Sequence, residues 1–271
     1  PRATPTFLYP SQLTDWFSKV TVALLMMNNS VEPTQHKNQP RSFVRRAGRM
    51  TSGQEQAWSE HAGTYLIEVE RDGGETTVAT GPSQHPVTMF GREAPVVVEI
   101  GTGAGEAIVH AAHEHPDTNF LGIEVYRAGL ARAMLNAAKL GLTNLRLIEA
   151  NAPEVLNHYL PESSVTEIRV FFPDPWHKAR HTKRRLIAPP FVELASRVLV
   201  DGGLVRMATD WEEYAEQMRD VFDAAEPFSR DFEGDWAERF AGRPVTNFER
   251  KGTNKGREIR DLTYRFNPVY S

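Results

Sequence analysis

At 271 residues, with 40% apolar residues and a formal net charge of −4, the chain is sized for one large domain with an extension, or for two small ones. Its longest apolar stretch, Val20 to Met27, is far shorter than the roughly 20 residues a bilayer span needs, and Arg2 is the only cation ahead of Lys19, which does not read as a secretion signal. The absence of cysteine excludes disulfides, thiolate zinc sites and iron–sulfur clusters and suits a reducing cytoplasm, while the nine scattered His residues show no metal-ligand spacing, so no metal is expected.

Residues 1–40 mix Pro, Gln, Asn and Thr without sustained periodicity and read as a mobile arm, with a short docking helix over Trp16 to Met27. A single domain is expected over 41–271, with a leading segment to residue 94 and a core from 95. Val96 to Ile100 is a β-branched run ending at glycines, which suits a strand buried on both faces. Glu106 to His115 reads as a helix, Phe120 to Val125 as a strand, and Arg127 to Leu140 as a helix stopped by Gly141. Strands follow at Leu145 to Ala150 and Ile168 to Phe172. Phe191 to Leu199 reads as a helix closed by the Asp201-Gly202-Gly203 turn, before a strand at Leu204 to Thr209 and a helix at Glu212 to Phe222. Leu262 to Phe266 alternates as a late strand. Repeated strand–helix units imply an α/β fold, a doubly wound and mostly parallel sheet with helices on both faces. Ligands of such sheets sit beyond the carboxyl ends of the strands.

The acidic total conceals two basic islands. Lys178 to Arg185 holds Lys178, Arg180, Lys183, Arg184 and Arg185, with His181 among them, and Arg41, Arg45, Arg46 and Arg49 form the second. Clustered cations of this kind are the footprint of a nucleic-acid partner, although a charge run is usually a solvated face.

Glu99-Ile100-Gly101-Thr102-Gly103-Ala104-Gly105 ends the first strand of the core. Gly101, Gly103 and Gly105 let the backbone turn tightly and approach a ligand, though a Gly-x-Gly alone is equally an ordinary strand-to-helix turn. Glu124 ends the next strand, where a carboxylate accepts hydrogen bonds from ribose hydroxyls. That logic also fits NAD. The third glycine, however, comes one position early for a pyrophosphate cradle, and Glu99 and Glu106 would repel a diphosphate. S-adenosylmethionine carries an ammonium and a sulfonium and no phosphate, which favours it. The Glu-x-Gly-x-Gly-x-Gly strand end also resembles the first motif of the Rossmann-like methyltransferases, whose likeness places Asn151 near the adenine. Asn151 reads equally as the N-cap of a helix starting at Ala152-Pro153.

The strand at Ile168 runs into Phe171-Phe172-Pro173-Asp174-Pro175-Trp176-His177-Lys178-Ala179-Arg180-His181-Thr182-Lys183-Arg184-Arg185. Two prolines flank Asp174 and stiffen the loop that carries its carboxylate. Trp176 offers a flat face for a base, or packs in the core. This block resembles the signature of the bacterial tRNA (guanine-N-7-)-methyltransferases. Arg41-Ser42-Phe43-Val44-Arg45-Arg46-Ala47-Gly48-Arg49-Met50, Ala208-Thr209-Asp210-Trp211 and Thr246-Asn247-Phe248-Glu249 resemble further blocks of that family, in the same order, over residues 41–266. The resemblance implies a Rossmann-like fold of about seven strands and methylation of a guanine in the tRNA variable loop (position 46 in tRNA numbering) with S-adenosylmethionine as donor. It implies that Glu99, Glu124, Asn151 and Asp174 line the cofactor site, with Asp174 catalytic. Lys178, Asp210 and Thr246, Asn247, Phe248 and Glu249 would meet the substrate, and Arg180, His181, Lys183, Arg184 and Arg185 the RNA. Many members carry Asp where this chain has Asn151, which keeps a donor and an acceptor for adenine. A methyltransferase of a protein amine or a small metabolite would share the cofactor loop without needing the Arg180 to Arg185 run.

Overall fold

The computed structural model describes residues 50–268. The expected N-terminal arm, the Trp16 to Met27 helix and the arginines from Arg41 to Arg49 lie outside the described residues. Helix α1 (Ser52–Tyr65) begins at a capping box, in which Thr51 accepts from the Gln54 N–H and the Gln54 side chain accepts from the Thr51 N–H. The pair satisfies two donors that the first turn leaves without partners. A short helix α2 (Pro86–Phe90) ends at Gly91, and the core opens with β1 (Val96–Ile100). Then come α3 (Glu106–Glu114), β2 (Asn119–Glu124), α4 (Arg127–Lys139), β3 (Leu145–Glu149), β4 (Val165–Phe171), α5 (Pro189–Val198), β5 (Leu199–Thr209), α6 (Glu212–Asp223), β6 (Phe228–Arg230), α7 (Asn247–Thr253) and β7 (Arg260–Phe266).

The seven strands form one sheet in the order β3-β2-β1-β4-β5-β7-β6. The first five are parallel, and β7 runs antiparallel to both β5 and β6. β1 lies next to β4, so the chain reverses its direction of sheet growth there, and the carboxyl ends of these two strands open a crevice between their loops. Helices cover both faces, as the parallel pattern requires. On one face Val96, Val98 and Ile100 join a core with Phe191 and Val198 of α5 and Tyr214, Met218 and Phe222 of α6. On the other, Val97 packs with Ile108 and Ala112 of α3, Leu130 and Met134 of α4, and Tyr65 of α1. The every-residue burial of β1 is the structural counterpart of its unbroken apolar run. Among the described residues no helix is long and apolar enough to cross a membrane.

The widest departure from the expected strand boundaries lies at β5. The Asp201-Gly202-Gly203 turn does not separate helix from strand. It is an excursion inside β5, where Val165 pairs with Leu199 and Glu167 already pairs with Leu204. Gly202 takes φ +74° there, which a side chain would make costly.

Candidate active site

The loop after β1 turns on three glycines at positive φ, Gly101 (+76°), Gly103 (+54°) and Gly105 (+77°). Their roles divide. A Cβ built at Gly101 or Gly103 meets no atom within 4 Å, so these two leave an open cradle at the strand end. At Gly105 a Cβ would lie 2.4 Å from the Ala133 Cβ, so this glycine lets α3 and α4 pack closely. The sequence reading grouped all three as cofactor contacts, and at Gly105 the missing side chain also serves packing, because it faces α4. Gly129, which the sequence reading passed over, serves the loop from the other side. A Cβ there would be 2.3 Å from the Gly103 carbonyl oxygen, so only glycine allows the start of α4 to press against the cradle.

Glu99 stands at the end of β1, 3% exposed, paired across the sheet with Arg169 of β4. Its Oε2 is buried and has no hydrogen-bond partner. Burial pushes its carboxyl up to about 7, against the opposing pull of Arg169 and the Ile108 N–H. A buried carboxylate oxygen without a donor, beside an open glycine cradle, fits a cationic ligand group. The ammonium of S-adenosylmethionine is of that kind, and Glu99, Gly101 and Gly103 are the residues that would hold it. The shift also sets a pH dependence. In the unfolded chain the group titrates near 4.5, so the folded state holds the extra proton between there and about 7, and stability falls as pH rises through that window. Ligand binding near pH 6.5 is expected to release a proton, seen as a binding enthalpy that varies with the ionisation enthalpy of the buffer. Glu99→Gln should remove that variation, and a wild-type enthalpy independent of buffer would count against this placement.

Glu124, at the end of β2, is already engaged by the backbone. Oε2 accepts from the Gly103 N–H at 2.8 Å, and Oε1 from the N–H groups of Val125 and Tyr126 at 2.7 and 2.9 Å. A carboxylate has about four lone-pair sites, so a ribose hydroxyl still finds an acceptor while the carboxylate shapes the cradle. Asn151 follows β3 at the N-cap position of the Ala152–Glu154 turn, but its side chain makes no cap bond. It donates instead to Glu154 Oε1 at 3.1 Å, and its N–H is held by the Thr76 carbonyl at 2.7 Å. Residues before the core thus reach the third strand end, a contact that no periodicity announces.

The loop after β4 is bent by two residues in the left-handed region, Phe172 (φ 54°) and Trp176 (φ 45°), which bracket Pro173-Asp174-Pro175. Asp174 is exposed between them. Trp176 is half-buried and belongs to no core. Arg184 lies over its ring at 5.2 Å and His181 packs beside it at 6.0 Å. His177 meets Trp211 of the loop after β5 at 5.7 Å, which joins two of the sequence blocks. The basic run that follows splits. Lys178, Arg180 and Lys183 are exposed. Desolvation and the flanking Arg184, Arg180, Lys178 and His177 hold His181 below its ordinary value, so it is neutral at neutral pH. Arg185 is corrected from an RNA contact to an internal tie. It is 4% exposed, donates to the Pro175 carbonyl at 2.8 Å and to Gln217 Oε1 at 2.7 Å, and stacks over Tyr214 at 4.9 Å. It anchors the Asp174 loop to α6.

The last two blocks come together at α7. Asp210 pairs with Arg257 at 2.8 Å. Thr246 caps α7 by accepting from the Glu249 N–H at 3.1 Å. Asn247 bonds to Glu106. Phe248 is 53% exposed and leans on Phe172 at 5.3 Å, so it presents an open aromatic face at the crevice. Glu249 points inward. It is 3% exposed and clasped by Arg239 at 3.0 and 3.2 Å, with Arg243 Nε 3.4 Å away. Its carboxylate is thus turned to two cations within the fold. Arg243, unnoticed in the sequence, is 1% exposed and forks onto Asp261 at 2.7 and 3.0 Å.

Known proteins resemble the chain over most of its length. Residues 93–262 match the family described as "Putative methyltransferase". The chain is 43% identical over 274 aligned positions to a tRNA (guanine-N(7)-)-methyltransferase of Paenarthrobacter aurescens (strain TC1), covering 83% of this chain and 91% of that protein. It is 41% identical to enzymes of the same name from Psychromonas ingrahamii, over 87% of this chain and 93% of that one, and from Escherichia coli O6:K15:H31, over 88% and 98%. The chain belongs to the tRNA (guanine-N(7)-)-methyltransferase family.

Proposed function

We infer that this protein transfers the methyl group of S-adenosylmethionine to N7 of a guanine in the tRNA variable loop. The observation that carries the reading is the exposed Asp174 carboxylate, held in a proline-bracketed loop on β4 beside the β1 cradle and its partnerless Glu99 oxygen. The donor supplies a methyl group on a positively charged sulfur. Guanine N7 is an acceptor with its own lone pair, so it attacks without losing a proton. Asp174 therefore acts as an orienting and charge-stabilising group rather than a general base. It accepts from the base's Watson–Crick donors and offsets the positive charge that develops on the ring. The side chains of Asp210, paired with Arg257, and of Glu249, paired with Arg239, are covered, whereas Asp174 is exposed. Phe248 supplies the aromatic face on which the flipped base stacks, a service Trp176 gives instead to Arg184.

The exposed cations Lys178, Arg180 and Lys183 grip phosphates. Replacing Arg180 or Lys183 by Ala is expected to flatten the salt dependence of tRNA binding by about 0.7–0.9 in log–log slope for each phosphate no longer neutralised. Arg185→Ala should leave the slope unchanged and lower kcat, because it frees the Asp174 loop. Equal slopes for all three variants and the wild type would reassign the run to plain surface. The reading as a whole is tested by incubating unmodified tRNA with protein and S-adenosylmethionine, then treating with borohydride and aniline. Strand scission in the variable loop is expected, and its absence while the donor binds overturns the assignment.

A further inference from the structure

Helix α7 meets three strand-end loops at once. Phe248 packs on Phe172 beyond β4, and Gly252 lies against Asp210 beyond β5, where an added Cβ would stand 2.8 Å from Oδ2. The third meeting is made by Glu106, the first residue of α3 and the neighbour of the cradle glycines. Its carboxylate accepts from the Asn247 backbone N–H at 2.6 Å and from Asn247 Nδ2. The first N–H groups of a helix have no partner within it. Thr246 takes that of Glu249, and Glu106 takes that of Asn247, so part of the cap of α7 is lent by the cofactor loop. Arg250 donates to Asn247 Oδ1 at 2.6 Å, which turns the amide so that its NH₂ faces Glu106.

We propose that Glu106 is a positioning residue that couples the two halves of the site, linking the seating of the methyl donor in the Gly101–Gly105 loop to the seating of the guanine against α7. The inference rests on the methyltransferase reading above. Glu106 meets α7 through Asn247. A shift of the cradle as the donor seats moves the acceptor on which α7 begins, and with it Phe248. The reverse holds by linkage, so a seated base steadies the cradle. The bonds are exposed, and water replaces such bonds at little cost to the fold. The clamp therefore acts on the order of α7 rather than on global stability.

The test measures tRNA affinity with and without saturating S-adenosylhomocysteine, together with kcat and KM, for wild type, Glu106→Gln, Glu106→Ala, Asn247→Ala and the double Ala variant. In the wild type the demethylated donor is expected to tighten tRNA binding by about five-fold or more, within the usual range of coupling. In Glu106→Ala the factor should fall below about two-fold, with tRNA KM raised more than kcat is lowered. Glu106→Gln keeps one acceptor oxygen and should retain part of the coupling. The double variant should be no worse than Glu106→Ala, while Asn247→Ala alone, which keeps the backbone N–H that Glu106 accepts, should retain part of the coupling. A wild type without coupling, a Glu106→Ala protein with coupling intact, or strictly additive single variants overturns the proposal. Methylation of tRNA by the wild type separates the two levels. If it fails, the methyltransferase reading falls, whereas an active wild type with a fully coupled Glu106→Ala protein defeats this inference alone.

Discussion

Asp174→Asn should lower kcat on tRNA by on the order of 10²–10³, the loss typical when one preorganised electrostatic group is removed from a reacting centre. The geometry behind this is the loop itself. Prolines flank Asp174, Phe172 and Trp176 bend the backbone on either side, and Arg185 ties the Pro175 carbonyl to α6. The carboxylate is thereby in place before the substrate arrives, and no reorganisation accompanies the rise of charge on the base. Because no proton leaves N7, the wild-type transfer step should show a solvent isotope effect near unity. A large effect would restore Asp174 as a base, and an Asn variant with wild-type kcat and base selectivity would remove it from the chemistry.

Arg243→Ala should cost about 3–5 kcal/mol of folding stability, the penalty for leaving buried charge without its partner. Arg243 is 1% exposed, and its removal would strand Asp261 at 4% exposure and deprive Glu249 of one of two cations. Its Nε is close enough to Glu249 for ionic attraction yet not aligned as a hydrogen bond. The guanidinium also lies 5.2 and 5.3 Å from the rings of Phe171 and Phe172, so the loss extends to packing under the Asp174 loop. Urea titration is the measurement, with a lowered midpoint at an unchanged slope. A cost below about 1 kcal/mol would mark the pair as an ordinary surface bridge. Replacing Arg243 and Asp261 together by apolar residues should recover much of the loss.

The parallel core was legible because burial on both faces writes itself as unbroken apolar runs. Val96 to Ile100 fell where expected, and the other core strands within a few residues. Helix α1 and helix α7 were passed over although each carries its own signal, Thr51-x-x-Gln54 and Thr246-x-x-Glu249, the pattern of a capped first turn. β6 is three residues long and too short for any period to show. The site was legible as residue types at strand ends, and less so as directions. Nothing in a run of cations tells that Arg185 turns inward while Lys183 does not, since the difference is made by Tyr214 and Gln217 on a helix about thirty positions later. Gly105 and Gly101 look alike in the sequence, and only the approach of Ala133 separates packing from cradle.

The bent loop has a consequence for anyone who selects or engineers this protein for heat resistance. Phe172 and Trp176 both sit at positive φ, a conformation that costs a side-chain-bearing residue roughly 1–2 kcal/mol and glycine almost nothing. Glycine's greater freedom in the unfolded chain offsets about 0.5–1 kcal/mol of the difference, so the backbone balance still favours it. Against that small backbone gain stands the packing of a half-buried ring, which at Phe172 also lies under the Arg243 guanidinium. Glycine variants would lose the ring that supports Phe248, or the one that Arg184 covers, and with it the fixed reach of Asp174. Relieving the backbone here therefore removes the very rings that hold the segment, and heat resistance has to be sought elsewhere in the fold.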